Sequence, residues 1–246
     1  MKRRAPKRVS VKYETRCVTD NWQLPNRANL ALVTSCAILW RSLHEHLLRC
    51  GSTGILDGAM QAQRLTDSPP HITVEEYLEG ELQSEVRHEY FDGHVFAMAG
   101  ASDTHEMIAM NLAAALHAHL KGKPCQVFKD GMKLRLQVMS RDLFYYPDIM
   151  VACDPADAHR FFREKPRLLI EVLSEDENKD LVEKYFAYQR ISSVEEYVVV
   201  SQDKAKPEVR IFRRAEGWEP GETHHAGEFT LRSVSLALKV SDVYSF

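Results

Sequence analysis

The residues of this chain best able to do chemistry gather in Arg167–Tyr188, RLLIEVLSEDENKDLVEKYFAY. Glu171 stands inside an apolar run, flanked by Leu168, Leu169, Ile170, Val172 and Leu173. Burying an unpaired carboxylate there would cost roughly several kcal/mol. Such a group therefore needs a basic partner or a cation. Strand alternation sets Arg167, Leu169, Glu171 and Leu173 on one face. A polar loop follows, then an amphipathic helix with Asp180, Lys184 and Tyr188 spaced four apart on one side. Upstream, YYPDIMVAC brings Asp148 into another apolar strand. Carboxylates on neighbouring strands beside a lysine make a site for a hard divalent cation, with room for a phosphate. Phosphodiester hydrolysis needs a metal on the phosphate oxygen, a deprotonated water and a counter to developing charge. Asp148 and Glu171 are the expected ligands of Mg²⁺ or Mn²⁺. Lys184 is expected to assist the water or offset charge on the phosphate.

Each residue also has a purely structural reading. Asp148, after Pro147, suits a turn at a strand edge. Glu171 could pair with a buried Arg or Lys. An exposed Asp180–Lys184 helical pair would be worth roughly 0.3–0.5 kcal/mol. Lys184 borders the apolar stripe, so its long stem can reach inward. Glu89 is either a third carboxylate of the site or a hairpin-end charge. His105 shares a helix face with Ile108 and Leu112, as a packing or capping histidine would. His224-His225 lies in a Gly-rich loop and is expected to be solvated. Arg87, Lys129 and Lys133 are candidate contacts to a nucleic-acid strand.

The chain's 246 residues suffice for one core with an appendage. A net charge of −3 gives no global sign of nucleic-acid binding, which a local basic lining can still supply. Five cysteines without a CxxC spacing argue against zinc and against a disulfide framework, and for a reducing, cytoplasmic setting. The apolar run Leu30–Trp40 is too short to span a bilayer. Residues 1–69 read as an N-terminal extension, disordered or partly helical over Ala28–Cys50, with Met60 as an alternative start. The compact domain covers residues 70–246.

That domain opens with a helix over 74–86, capped by Thr73 with Glu76 three residues on. HEYFDGHVFAMAG reads as a hairpin turning at Asp92-Gly93. Asp103 is expected to cap a helix to Leu120. Strands are expected over 125–128, 132–138, 145–152, 196–201, 208–214, 228–231 and 236–240, besides the one carrying Glu171. The order predicts an α/β fold with a mixed sheet flanked by helices. YYPDIMV, then IEVLS, then D-x-x-x-K-x-x-x-Y resembles the Uma-two family of restriction endonucleases, within the PD-(D/E)XK, restriction-endonuclease-like superfamily. ITVEEYL, the element at Arg87–Gly93, His105 and EEYVVVSQDKAKPEVRIFRR add to the resemblance. It implies a restriction-endonuclease-like sheet and a metal-dependent, DNA-cleaving site. Carried over by position, it makes Asp148 and Glu171 metal ligands, Lys184 the catalytic lysine and Glu89 an accessory acid. The superfamily lysine would stand at Leu173, so the charge must come from the helix. A homodimer would suit cleavage of both strands. The alternatives are a catalytically silent nucleic-acid-binding or scaffold protein of the same fold, and a hydrolase of another phosphate substrate.

Overall fold

A computed structural model describes residues 71–173 and 179–246, without the side chains of residues 179–181. The expectations for the N-terminal extension and Met60 lie outside the described residues. The described residues fall within one compact unit, Pro69–Phe246.

Helix α1 spans Val74–Glu81. Thr73 Oγ1 accepts from Glu76 N at 3.2 Å, and Glu76 Oε2 accepts from Thr73 N at 2.9 Å, the reciprocal cap its sequence predicts. The helix stops at Glu81 rather than Val86. Ser84 Oγ donates to Val86 O and accepts from Val86 N, a local turn that competes with the helix. The hairpin forms as expected, with β1 at His88–Phe91 and β2 at His94–Ala97. Asp92 (φ 45°) and Gly93 (φ 90°) supply the left-handed turn. Helix α2 spans Asp103–Leu120, but Ser102 is its cap, accepting from His105 N at 3.1 Å. Asp103 instead takes the Thr104 amide at 2.6 Å.

The strand expected over 145–152 is two strands, β5 (Arg141–Tyr145) and β6 (Ile149–Ala152). Pro147 between them has no N–H for a ladder, so the run breaks there although it stays apolar. The remaining strands are β3 (Gln126–Lys129), β4 (Lys133–Val138), β7 (Phe162–Arg163), β8 (Pro166–Val172), β9 (Glu196–Val200), β10 (Val209–Arg213), β11 (Glu222–His224), β12 (Glu228–Leu231) and β13 (Leu236–Lys239). They form a five-stranded sheet, β2-β1-β5-β4-β7, a mixed six-stranded sheet, β11-β10-β9-β8-β6-β3, and the pair β12-β13. Tyr146-Pro147-Asp148 carries the chain from one large sheet to the other.

Strand alternation decides what each face meets. Ile149, Val151, Ile170 and Val172 pack with Ile108, Leu112 and Leu116 of α2. The opposite face, through Met150, Leu169, Leu173 and Tyr197, packs against Leu134, Leu136, Leu143 and Tyr145 of the five-stranded sheet. Tyr77, Tyr90, Phe144 and Phe162 fill the space under α1. Central β9, buried along its length, pairs in parallel with β8. Cys125 and Cys153 form a disulfide, contrary to the expectation from cysteine spacing. β3 and β6 pair Gln126 with Ala152, so the next residues outward face one another. Such a pairing is set by sheet register. It removes the cysteine argument for a reducing compartment.

Candidate active site

Alternation places Glu171 on the face of β8 that looks toward the five-stranded sheet, between Leu169 and Leu173. Its partner is Lys184, whose Nζ stands 2.9 Å from Glu171 Oε2. Tyr188 donates its hydroxyl to Glu171 Oε1 at 2.7 Å. Glu171 is 2% exposed and Lys184 6%, so this ion pair is buried. The segment supplying it is a π-helical turn, Lys179–Lys184, running into the short helix α3, Tyr185–Gln189. Lys184 and Tyr188, one α-helical turn apart, reach the same carboxylate. Asp180 belongs to the turn, and its side chain is outside the described ones.

Tyrosines surround the pair. Burial, then the Glu171 charge, pushes the Tyr188 hydroxyl well above its ordinary pKa, so it stays a donor. Tyr145, edge-on to Tyr188 at 5.9 Å, donates to Glu183 Oε1 at 2.7 Å. Burial and then Glu183 raise its pKa too. Glu89, 5% exposed on β1, adds negative charge felt by both tyrosines, which places it beside this cluster. Sequence reasoning missed Tyr145 and Glu183. Their signals were adjacency to Tyr146-Pro147-Asp148 and to Lys184.

Asp148 comes to the same strand end by another route. Its Oδ2 accepts from Val172 N at 2.7 Å, continuing the ladder with a side-chain oxygen. His105 Nε2 lies 3.1 Å from the same oxygen. Burial works to lower the His105 pKa, but the hydrogen bond and charge of Asp148 outweigh it and raise the value. His105 Nδ1 is buried with no hydrogen-bond partner among the described residues. Asp148 is thus tied to the residue after Glu171, and Glu171, Lys184 and Tyr188 meet directly.

The candidate strand contacts fare differently. Arg87 is exposed. Lys129 is paired with Glu106 and Asp130. Lys133 is 6% exposed with its ammonium 5.2 Å from the Tyr146 ring centroid, and burial lowers its pKa. Lys133 is thus enclosed, and Lys129 is ion-paired to two carboxylates. His224 is also partly enclosed, 2.7 Å from Glu222, while His225 is exposed as expected.

Among the described residues, no three His, Cys, Asp or Glu side chains are grouped to hold a metal ion together. Mg²⁺ commonly takes only one or two carboxylates, with water and phosphate completing its shell. Asp148 and Glu171 offer the hard oxygen type such a site uses, and Lys184 and Tyr188 hold the two Glu171 oxygens. Asp148 Oδ1 carries no hydrogen bond among the described residues.

Mixed sheets with few flanking helices give a fold of the nuclease-like class. The family model described as Uma2, "Putative restriction endonuclease", matches residues 74–241, and the chain belongs to this family. It is 30% identical over 179 residues to the uncharacterized protein slr1290 of Synechocystis sp., covering 71% of this chain and 92% of that one. Identity to the uncharacterized protein sll1609 of the same organism is 29% over 135 residues, 53% of this chain and 75% of that one. The crystal structure of a "putative nuclease belonging to DUF820" from Anabaena variabilis matches with TM-score 0.54 and 17% identity, over 68% of this chain and 97% of that one. That likeness bears on the fold. No described helix is long and apolar enough to cross a membrane.

Proposed function

We propose that this chain is an endonuclease that hydrolyses DNA phosphodiester bonds with Mg²⁺ or Mn²⁺, as its family suggests. The observation that carries the reading is the buried Glu171–Lys184 pair, with Asp148 anchored one residue along the same strand. A divalent ion at Asp148 and Glu171 would supply Lewis-acid polarisation of the phosphate and a more acidic water. Lys184 orients that water or meets the phosphate charge. Tyr188, kept protonated, holds Glu171 in one rotamer. Glu89 adds an accessory acid, and Arg87 remains an exposed cation for the substrate. A cytoplasmic homodimer, cutting both strands about a two-fold axis, completes the reading.

The test is plasmid nicking with Mg²⁺ and with EDTA. Glu171→Gln keeps the shape and removes the charge. It should lower nicking by about a hundredfold or more, with the circular dichroism spectrum unchanged. Nicking at the parent rate in that variant, or in EDTA, would contradict the assignment. A silent nucleic-acid-binding protein is the second reading, favoured by the engagement of both Glu171 oxygens. It expects DNA binding and no nicking under any divalent ion.

A further inference from the structure

A groove of about 540 Å³ lies along β3, away from Glu171. β3 is the last strand of the six-stranded sheet, so one of its sides has no strand beside it. Four basic side chains line the groove, His117, Lys121 and Lys123 from the end of α2 and Arg163 from β7, and no acidic one does. Arg163 is only 8% exposed. Its guanidinium lies over the Phe128 ring, 4.7 Å from the centroid, and donates to Gln126 Oε1 at 3.3 Å and to the His159 and Phe162 carbonyls. It is a fixed cation.

The charge here is uncompensated. Arg135, Arg141 and Lys165 each have a carboxylate within ion-pair reach. Among the described residues, Lys121, Lys123 and Arg163 have none. Lysines after a helix can serve its C-terminal dipole. Arg163 comes from the other sheet, so dipole compensation does not explain why the three converge. An acid-free cationic groove on a chain of net charge −3 calls for an anionic occupant.

The groove also leads to the candidate site. β3 runs from Gln126 to Lys129, about 10 Å along a strand. Just beyond it, Asp130 N donates to the Asp148 carbonyl at 3.1 Å. Along duplex DNA that distance spans about three phosphates of one strand.

We propose that this groove binds the phosphates of a nucleic-acid strand a few nucleotides from the bond presented to Asp148. Its place relative to the scissile bond rests on the nuclease reading, whereas the binding itself does not. Lys121 and Lys123 meet the phosphate oxygens, Arg163 adds a fixed positive charge behind them, and no base is read.

The test is fluorescence anisotropy of a labelled DNA duplex on the full chain in EDTA, across a salt series. Lys121→Gln combined with Lys123→Gln should weaken binding by about tenfold and make the log K against log salt slope shallower by about 1.8. Lys239→Gln, on exposed β13 surface, should leave both unchanged. Unaltered affinity and slope in the double variant would overturn the groove. So would an equal loss in the Lys239 variant, or equally good competition by a poly-glutamate peptide or by inorganic phosphate at matched charge. Binding through the groove without nicking in Mg²⁺ removes the hydrolase reading and leaves the groove. Nicking with parent affinity in the double variant does the reverse.

Discussion

Glu171 shows how far a single residue can be read. A carboxylate inside LLIEVL demands a partner on energetic grounds, and Lys184 is that partner. The lysine and Tyr188 were readable because helical spacing puts them on one side. Removing the Tyr188 hydroxyl takes one hydrogen-bond donor from a buried carboxylate. Tyr188→Phe is therefore expected to lower unfolding free energy by about 1–3 kcal/mol in urea titration. The burial of Lys133 was not legible, because an isolated lysine at a strand start carries no mark of it. Its folded pKa lies below its unfolded value, so the unfolded chain holds more protons between the two. Stability from this residue is thus lowest below the folded pKa and recovers as pH rises toward the ordinary lysine value. Lys133→Met should raise the urea midpoint at neutral pH, with the gain shrinking as pH approaches that value.

Elements were legible where their signals are local. The Thr73–Glu76 cap and the Asp92-Gly93 turn each stand within a few residues and formed as read. At Gly93 a Cβ would stand 2.3 Å from the His71 ring, besides facing a left-handed φ. Gly93→Ala is expected to cost about 1–2 kcal/mol, read from the denaturation midpoint, since both strain and contact oppose it. The division of 145–152 into β5 and β6 was not legible by periodicity. Its apolar run is continuous because the residues are buried in two different sheets, and Pro147 alone marked the crossing. The choice of Ser102 over Asp103 as cap was a one-residue competition between good acceptors.

For the whole molecule, pattern conveys the class of fold, and pairing order stays hidden. Nothing near Cys125 shows that β3 will lie against β6, so its bond to Cys153, 28 residues on, could not be read. Cys125→Ser should destabilise by about 3–4 kcal/mol under non-reducing conditions, from the chain entropy of that loop. A reductant should erase the difference in midpoint between the two proteins. The site is likewise an outcome of the whole. Glu89, Tyr145 and Lys184 come together because two sheets face each other across one core.

Asp148 has a consequence for how descendants of such a protein would be judged. Its side chain stands in for a backbone acceptor, so swapping it exposes an amide at the end of β8 whether or not any bond is being cut. A lineage that had abandoned hydrolysis would still be selected to keep this aspartate. Its presence in a relative therefore testifies to an intact sheet, and activity must be inferred from residues that architecture alone does not require.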